Sequence, residues 1–104
     1  MVNFNGIYWE VLLVPPNYYA LRNRDGTYSI GACDTKYKKI YIQNNLSPLR
    51  FRKVLAHEFT HAALNSFNIR VTDYQEELMA DVVATYGQEI INNVNEKWEE
   101  LYNL

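Results

Sequence analysis

Cysteine is nearly missing from this chain: Cys33 stands alone among 104 residues, which excludes an internal disulfide. Long apolar runs are missing too, since Val11-Leu12-Leu13-Val14 is far too short to span a membrane. The N-terminus has neither the basic segment nor the apolar stretch of a signal peptide, so the expected compartment is a reducing cytoplasm. Positive charge is scarce: ten Lys and Arg against twelve Asp and Glu leave a net charge of −2. The densest basic group, Arg50-Phe51-Arg52-Lys53, forms no phosphate-neutralising patch, which argues against nucleic-acid binding as the main activity. There is no repeat, low-complexity stretch or linker, and 48% hydrophobic residues are ample for one small core, so residues 1–104 are expected to form a single domain.

What is there changes character once along the chain. Ile7 to Val14 is rich in aromatic and branched residues, stops at Pro15-Pro16 and reads as a strand. Tyr18 to Asn23 and Thr27 to Cys33 flank Arg24-Asp25-Gly26 and predict a hairpin. Lys38 to Gln43 alternates, with Ile40 and Ile42 on one face. Ser47-Pro48 then supplies an N-cap and a first-turn proline, and apolar residues recur at helical spacing from Leu55 to Phe67 before Asn68 closes the helix. A second helix opens near Thr72-Asp73. The fold class is therefore α+β: a mainly antiparallel sheet of three or four strands covered on one face by two helices.

Both histidines of the chain lie on the first helix, four residues apart, in His57-Glu58-Phe59-Thr60-His61. Random placement gives that spacing with a following glutamate on the order of 0.2% of the time. On a helix, residues i and i+4 share a face with Cβ atoms about 6 Å apart, so both imidazoles reach one metal ion. Glu58 is turned about 100° from His57 and so reaches a metal-bound water rather than the metal. This is zinc-peptidase spacing.

Catalytic zinc usually takes three protein ligands and keeps a fourth position open. With no histidine left, the third is sought among the carboxylates of Thr72 to Asp81. If Asp73 is the N-cap, Glu76 completes a capping box and is occupied structurally. Glu77 and Asp81, four apart, share a face with Ala80 and Ala84, whose small side chains let this helix approach the first. Glu77 is the predicted third ligand. Asp81 is placed to accept a hydrogen bond from the nitrogen of a zinc histidine that does not bind metal.

His57-Glu58-Phe59-Thr60-His61 followed by Glu77-Leu78-Met79-Ala80-Asp81 resembles the gluzincin signature, HExxH plus ExxAD. With the upstream runs Gly31-Ala32-Cys33-Asp34 and Lys39-Ile40-Tyr41-Ile42, the order of segments is similar to the ImmA/IrrE-type metallopeptidases of phages and mobile elements. The size is similar to the single-domain minigluzincins. Val82-Val83-Ala84 departs from the Phe-Ala pair common in ImmA/IrrE-type chains. The resemblance implies a zincin-like domain in a bacterial or phage-infected cytoplasm. It also implies Zn2+ on His57, His61 and Glu77, Glu58 as general base, and a peptide or protein substrate, of which a specific repressor is one candidate.

Three expectations remain. Lys38 to Gln43, directly before the histidine helix, reads as a sheet edge that takes an extended substrate or is protected by Lys38 and Lys39. Among nine tyrosines, Tyr74 is the first candidate to donate to the developing oxyanion, being nearest Glu77 in sequence. The tail carries Ile90, Ile91, Val94, Trp98 and Leu101 at helical spacing and is expected to pack in the core. The competing reading folds Glu99, Glu100 and the C-terminal carboxylate over the zinc as a latency device. Against an endopeptidase stands one rival class: a binding or regulatory protein that keeps zinc for stability, since a metal bridging two helices can contribute on the order of 10 kcal/mol.

Overall fold

The computed structural model describes residues 1–103. Four strands form one mixed sheet: β1 (Val2–Phe4), β2 (Ile7–Val14), β3 (Gly31–Asp34) and β4 (Lys39–Gln43), in the order β1-β2-β4-β3. β1 and β2 are joined by Asn5-Gly6, both at positive φ (55° and 78°), the two-residue turn whose twist matches antiparallel strands. β2 pairs with β4 in parallel, Glu10 opposite Lys39, and β3 returns antiparallel to β4. The sheet is α+β and mainly antiparallel, as expected.

Two strand assignments differ from the sequence reading. β1, which the sequence reading does not assign, is an edge strand beside β2. The predicted hairpin around Arg24-Asp25-Gly26 is instead a short 3-10 helix at Tyr19–Leu21 and a single bridge between Arg22 and Tyr28. Asp25 Oδ1 accepts from both the Thr27 amide (3.0 Å) and its hydroxyl (2.6 Å), and Asn23 Nδ2 donates to Thr27 Oγ1 (3.0 Å). These local bonds satisfy the polar groups that a ladder would have used.

The sheet is covered differently on its two faces. Trp9, Ile40 and Ile42 face helix α1 (Pro48–Ser66) and pack with Val54 and Ala62, whereas Val14 and Tyr41 face the opposite way onto Leu21 of the 3-10 segment. Trp9 Nε1 donates to Ser66 Oγ (2.8 Å), fixing β2 to the last turn of α1. α1 begins as predicted, with Ser47 Oγ accepting from the Arg50 amide and Pro48 in the first turn, and Asn68 (φ 55°) follows its end.

Helix α2 (Asp73–Tyr102) is one continuous 30-residue rod that runs through Gly87 and packs on α1. The expectation that two helices cover the sheet is thus modified: α1 covers it and α2 rides on α1. Ala80 is the only buried residue of α2. The tail expected in the core is exposed: Ile90, Ile91, Val94, Trp98 and Leu101 all face solvent. Glu99 and Glu100 continue the rod, and the C-terminal carboxylate belongs to Leu104, outside the described residues. The long axis reaches 56 Å and the radius of gyration is 15.6 Å, against about 13 Å for a compact chain of this length. Among the described residues no helix is long and apolar enough to cross a membrane.

Candidate metal centre

The facing sides of α1 and α2 carry every titratable group of the predicted site except Tyr74. His57 and His61, one turn apart on α1, present their rings edge to face with centroids 5.0 Å apart and Nε2 atoms 3.3 Å apart. From α2, Glu77 reaches across: Oε1 lies 2.9 Å from His61 Nε2 and Oε2 lies 3.3 Å from His57 Nε2. One ligand atom from each of the three residues falls within 4.8 Å of the others. Donors about 2.0–2.1 Å from a tetrahedral ion stand about 3.3 Å from one another, so the observed separations suit a single small cation.

The far nitrogens each face a carboxylate of α2, that of His61 through a hydrogen bond. His57 Nδ1 lies 3.1 Å from Asp81 Oδ1, and His61 Nδ1 lies 2.8 Å from Glu76 Oε2. An imidazole donating its Nδ1–H to a carboxylate presents the Nε2 lone pair at the opposite corner, here towards Glu77. Asp81 stands where the sequence places it. Glu76 does not: the N-cap of α2 is Thr72, whose hydroxyl accepts from the Gln75 amide (3.2 Å) while Gln75 Oε1 accepts from the Thr72 amide (3.0 Å). The capping box sits one residue earlier than predicted, which frees Glu76 to orient His61.

Glu58 lies on the inner side of α1, 5% exposed, and its Oε2 has no hydrogen-bond partner. Burial raises its pKa from the ordinary carboxylate value; His57 and His61 pull it back and Glu77 raises it again. Leaving a buried acceptor unpaired costs about 1–3 kcal/mol. The orphaned oxygen together with two oriented Nε2 lone pairs and a carboxylate fits a metal ion carrying a water, since that water would donate to Glu58.

β3 lies against this helix beside β4. β4 is paired on both sides, so the expected sheet edge at Lys38 to Gln43 is interior, and β3 is the edge strand on the side of the site, β1 being the other edge. At Gly31 the approach is close: a Cβ there would stand 2.7 Å from Val54 Cγ1 and 3.1 Å from Glu58 Cγ. A cavity of about 500 Å³ opens beside these residues, lined by Gly31, Val54, His57, Glu58, Asp81 and Ala84 among others. Tyr74 is 78% exposed on the first turn of α2 and does not line that cavity.

A family model described as Peptidase_M78, IrrE N-terminal-like domain, matches residues 16–91. That span contains β3, β4, all of α1 and the part of α2 that bears Glu76, Glu77 and Asp81. No curated protein and no solved structure matches the chain.

Proposed function

Because the chain belongs to the Peptidase_M78 family of IrrE N-terminal-like domains, we propose that it is a zinc-dependent endopeptidase whose metal is held by His57, His61 and Glu77 and whose general base is Glu58. The observation that carries this reading is the buried, unpartnered Oε2 of Glu58 beside three converged ligand atoms. Zinc bound there lowers the pKa of a ligated water toward about 7 and polarises the scissile carbonyl. Glu58 Oε2 accepts the proton of the attacking water and returns it to the leaving amine. Asp81 and Glu76 keep the two imidazoles in one tautomer through that exchange. An extended peptide adds to the free edge of β3, which brings its backbone past Gly31 to Glu58. The family resemblance and the lone cysteine support a cytoplasmic setting, bacterial or phage-infected, with one specific repressor as a candidate substrate.

The test is Glu58→Gln, assayed for zinc content and for cleavage of an unstructured protein such as casein. The variant is expected to hold zinc one to one and to cleave at least about 100-fold more slowly than the wild type. Cleavage at the wild-type rate removes Glu58 from the mechanism.

A second reading has one observation in its favour. With only Ala80 of α2 buried, a bound metal would supply much of the attachment of α2 to α1, as in a zinc-stabilised binding or regulatory protein. Zinc-loaded wild-type protein that cleaves neither casein nor a candidate repressor favours this reading over the enzyme.

A further inference from the structure

The distal half of α2 is little covered by the rest of the chain, although Arg52 of α1 donates to Gln88 at its start. From Asp81 onward no described residue is buried, yet Val83, Ile90, Ile91, Val94, Trp98 and Leu101 fall at one-turn and two-turn helical spacings along it. At its tip Trp98 and Tyr102 stack with ring centroids 4.7 Å apart, both exposed. This segment also carries three asparagines, Asn92, Asn93 and Asn95. A poor helix-former stretch of about 15 residues with so little tertiary cover is marginal as an isolated helix. An exposed apolar stripe of this length marks an interaction surface.

We propose that this stripe is the interface of a twofold dimer, in which the α2 helices of two copies pair antiparallel about a point between Ile90 and Ile91. That centre sets Val94 against Gly87 of the second copy and Trp98 against its Val83. The site that receives the tail is visible in each protomer: a groove of about 770 Å³ between the first turns of α1 and the middle of α2, lined by Leu49, Arg52, Ala56, Val83, Gly87 and Ile91 among others. Charge selects a second copy as the occupant. The groove is flanked by the basic turn Arg50-Phe51-Arg52-Lys53, and the tail that would enter it carries Glu96, Glu99 and Glu100 against Lys97 alone. Because the same patch donates the tail and receives it, the contact closes on itself and does not propagate. The dimer does not depend on the peptidase reading.

Sedimentation or light scattering of the whole protein tests it. At about 100 µM the mass is expected at twice the 12.3 kDa of one chain. Ile91→Asp and Trp98→Glu are each expected to return it to one chain while the sheet signal in circular dichroism persists. Arg52→Glu is expected to raise the dimer Kd about tenfold or more, and adding Glu96→Lys to recover most of that loss. A monomer at about 100 µM, or a dimer that Ile91→Asp and Trp98→Glu leave intact, overturns the proposal.

Discussion

Glu76 and Glu77 hold the same imidazole from opposite sides: Glu76 Oε2 is 2.8 Å from His61 Nδ1, and Glu77 Oε1 is 2.9 Å from His61 Nε2. Adjacent residues on a helix point about 100° apart, and the His61 ring fits between them.

Their separate roles predict separate defects. Glu77→Gln is expected to weaken metal binding outright. Glu76→Gln keeps all three proposed ligands and is expected to lower metal affinity about 10–100-fold by releasing the His61 ring. The start of α2 is expected to survive Glu76→Gln, since Thr72 and Gln75 cap it. Competition against a chromophoric chelator, with circular dichroism alongside, measures both effects. Equal affinity in Glu76→Gln and wild type removes Glu76 from the site.

Gly31 sets how near β3 comes to the histidine helix. Gly31→Ala is expected to destabilise by about 1–3 kcal/mol, because its Cβ would overlap Val54 Cγ1. Val54→Ala removes that atom. The double variant is therefore expected to be more stable than the sum of the two single changes, by at least about 0.5 kcal/mol. Urea unfolding of the four proteins decides it, and strict additivity shows that the two side chains do not meet.

Removing the metal is expected to loosen α2 before the sheet. The Trp9–Ile40–Ile42 core contains no residue of α2, and Ala80 is the one buried anchor of α2 itself. Chelation is expected to lower the melting temperature by about 4 °C or more. Amide exchange is expected to rise first between Asp73 and Tyr102 while β2 and β4 stay protected. Unchanged exchange along α2 after the metal is stripped means that no ion bridges the helices.

Cys33 gives a pH-dependent measurement away from the ligands. Burial, reinforced by Glu58 and Glu76, pushes its thiol up from 9.0 to about 12. The folded protein thus keeps the neutral thiol well above the pH at which a free cysteine ionises. At pH 8 the folded thiolate fraction is about a thousandfold below that of the unfolded chain, and alkylation is expected to slow in proportion. The rate is expected to recover in denaturant. Fast modification of the native protein at pH 8 places the thiol in a wetter setting than this.

The parts of the site legible in sequence were those whose spacing alone fixes geometry. His57, Glu58 and His61 lie on one predicted helix, and Ser47-Pro48 dates its start correctly. Glu77 and Asp81 followed from sharing a face with small residues. Glu76 was misread because two capping boxes overlap, Thr72 with Gln75 and Asp73 with Glu76. Local preference ranks aspartate above threonine at the cap. The charge-assisted bond that His61 donates to Glu76, a contact across helices, is invisible to that ranking. The lost hairpin has a local origin instead, in the polar bonds among Asn23, Asp25 and Thr27. The apolar tail was assigned to a core by its periodicity, which reports that a face is buried without reporting against what.

The hydrogen bond from Trp9 to Ser66 spans 57 positions, and the Asn5 side chain donates to the Ser66 carbonyl across 61. The helix that bears both histidines therefore has its last turn tied to β2 and to the turn that precedes it. β2 can pair with β1 across a tight turn, but its ladder with β4 and its bond to Ser66 close only over long stretches of chain. In kinetic terms the histidine pair can form early as local helix, whereas its registration against the sheet is a late, long-range closure. The two histidines can therefore share a helical turn before the sheet beneath them is in register with it.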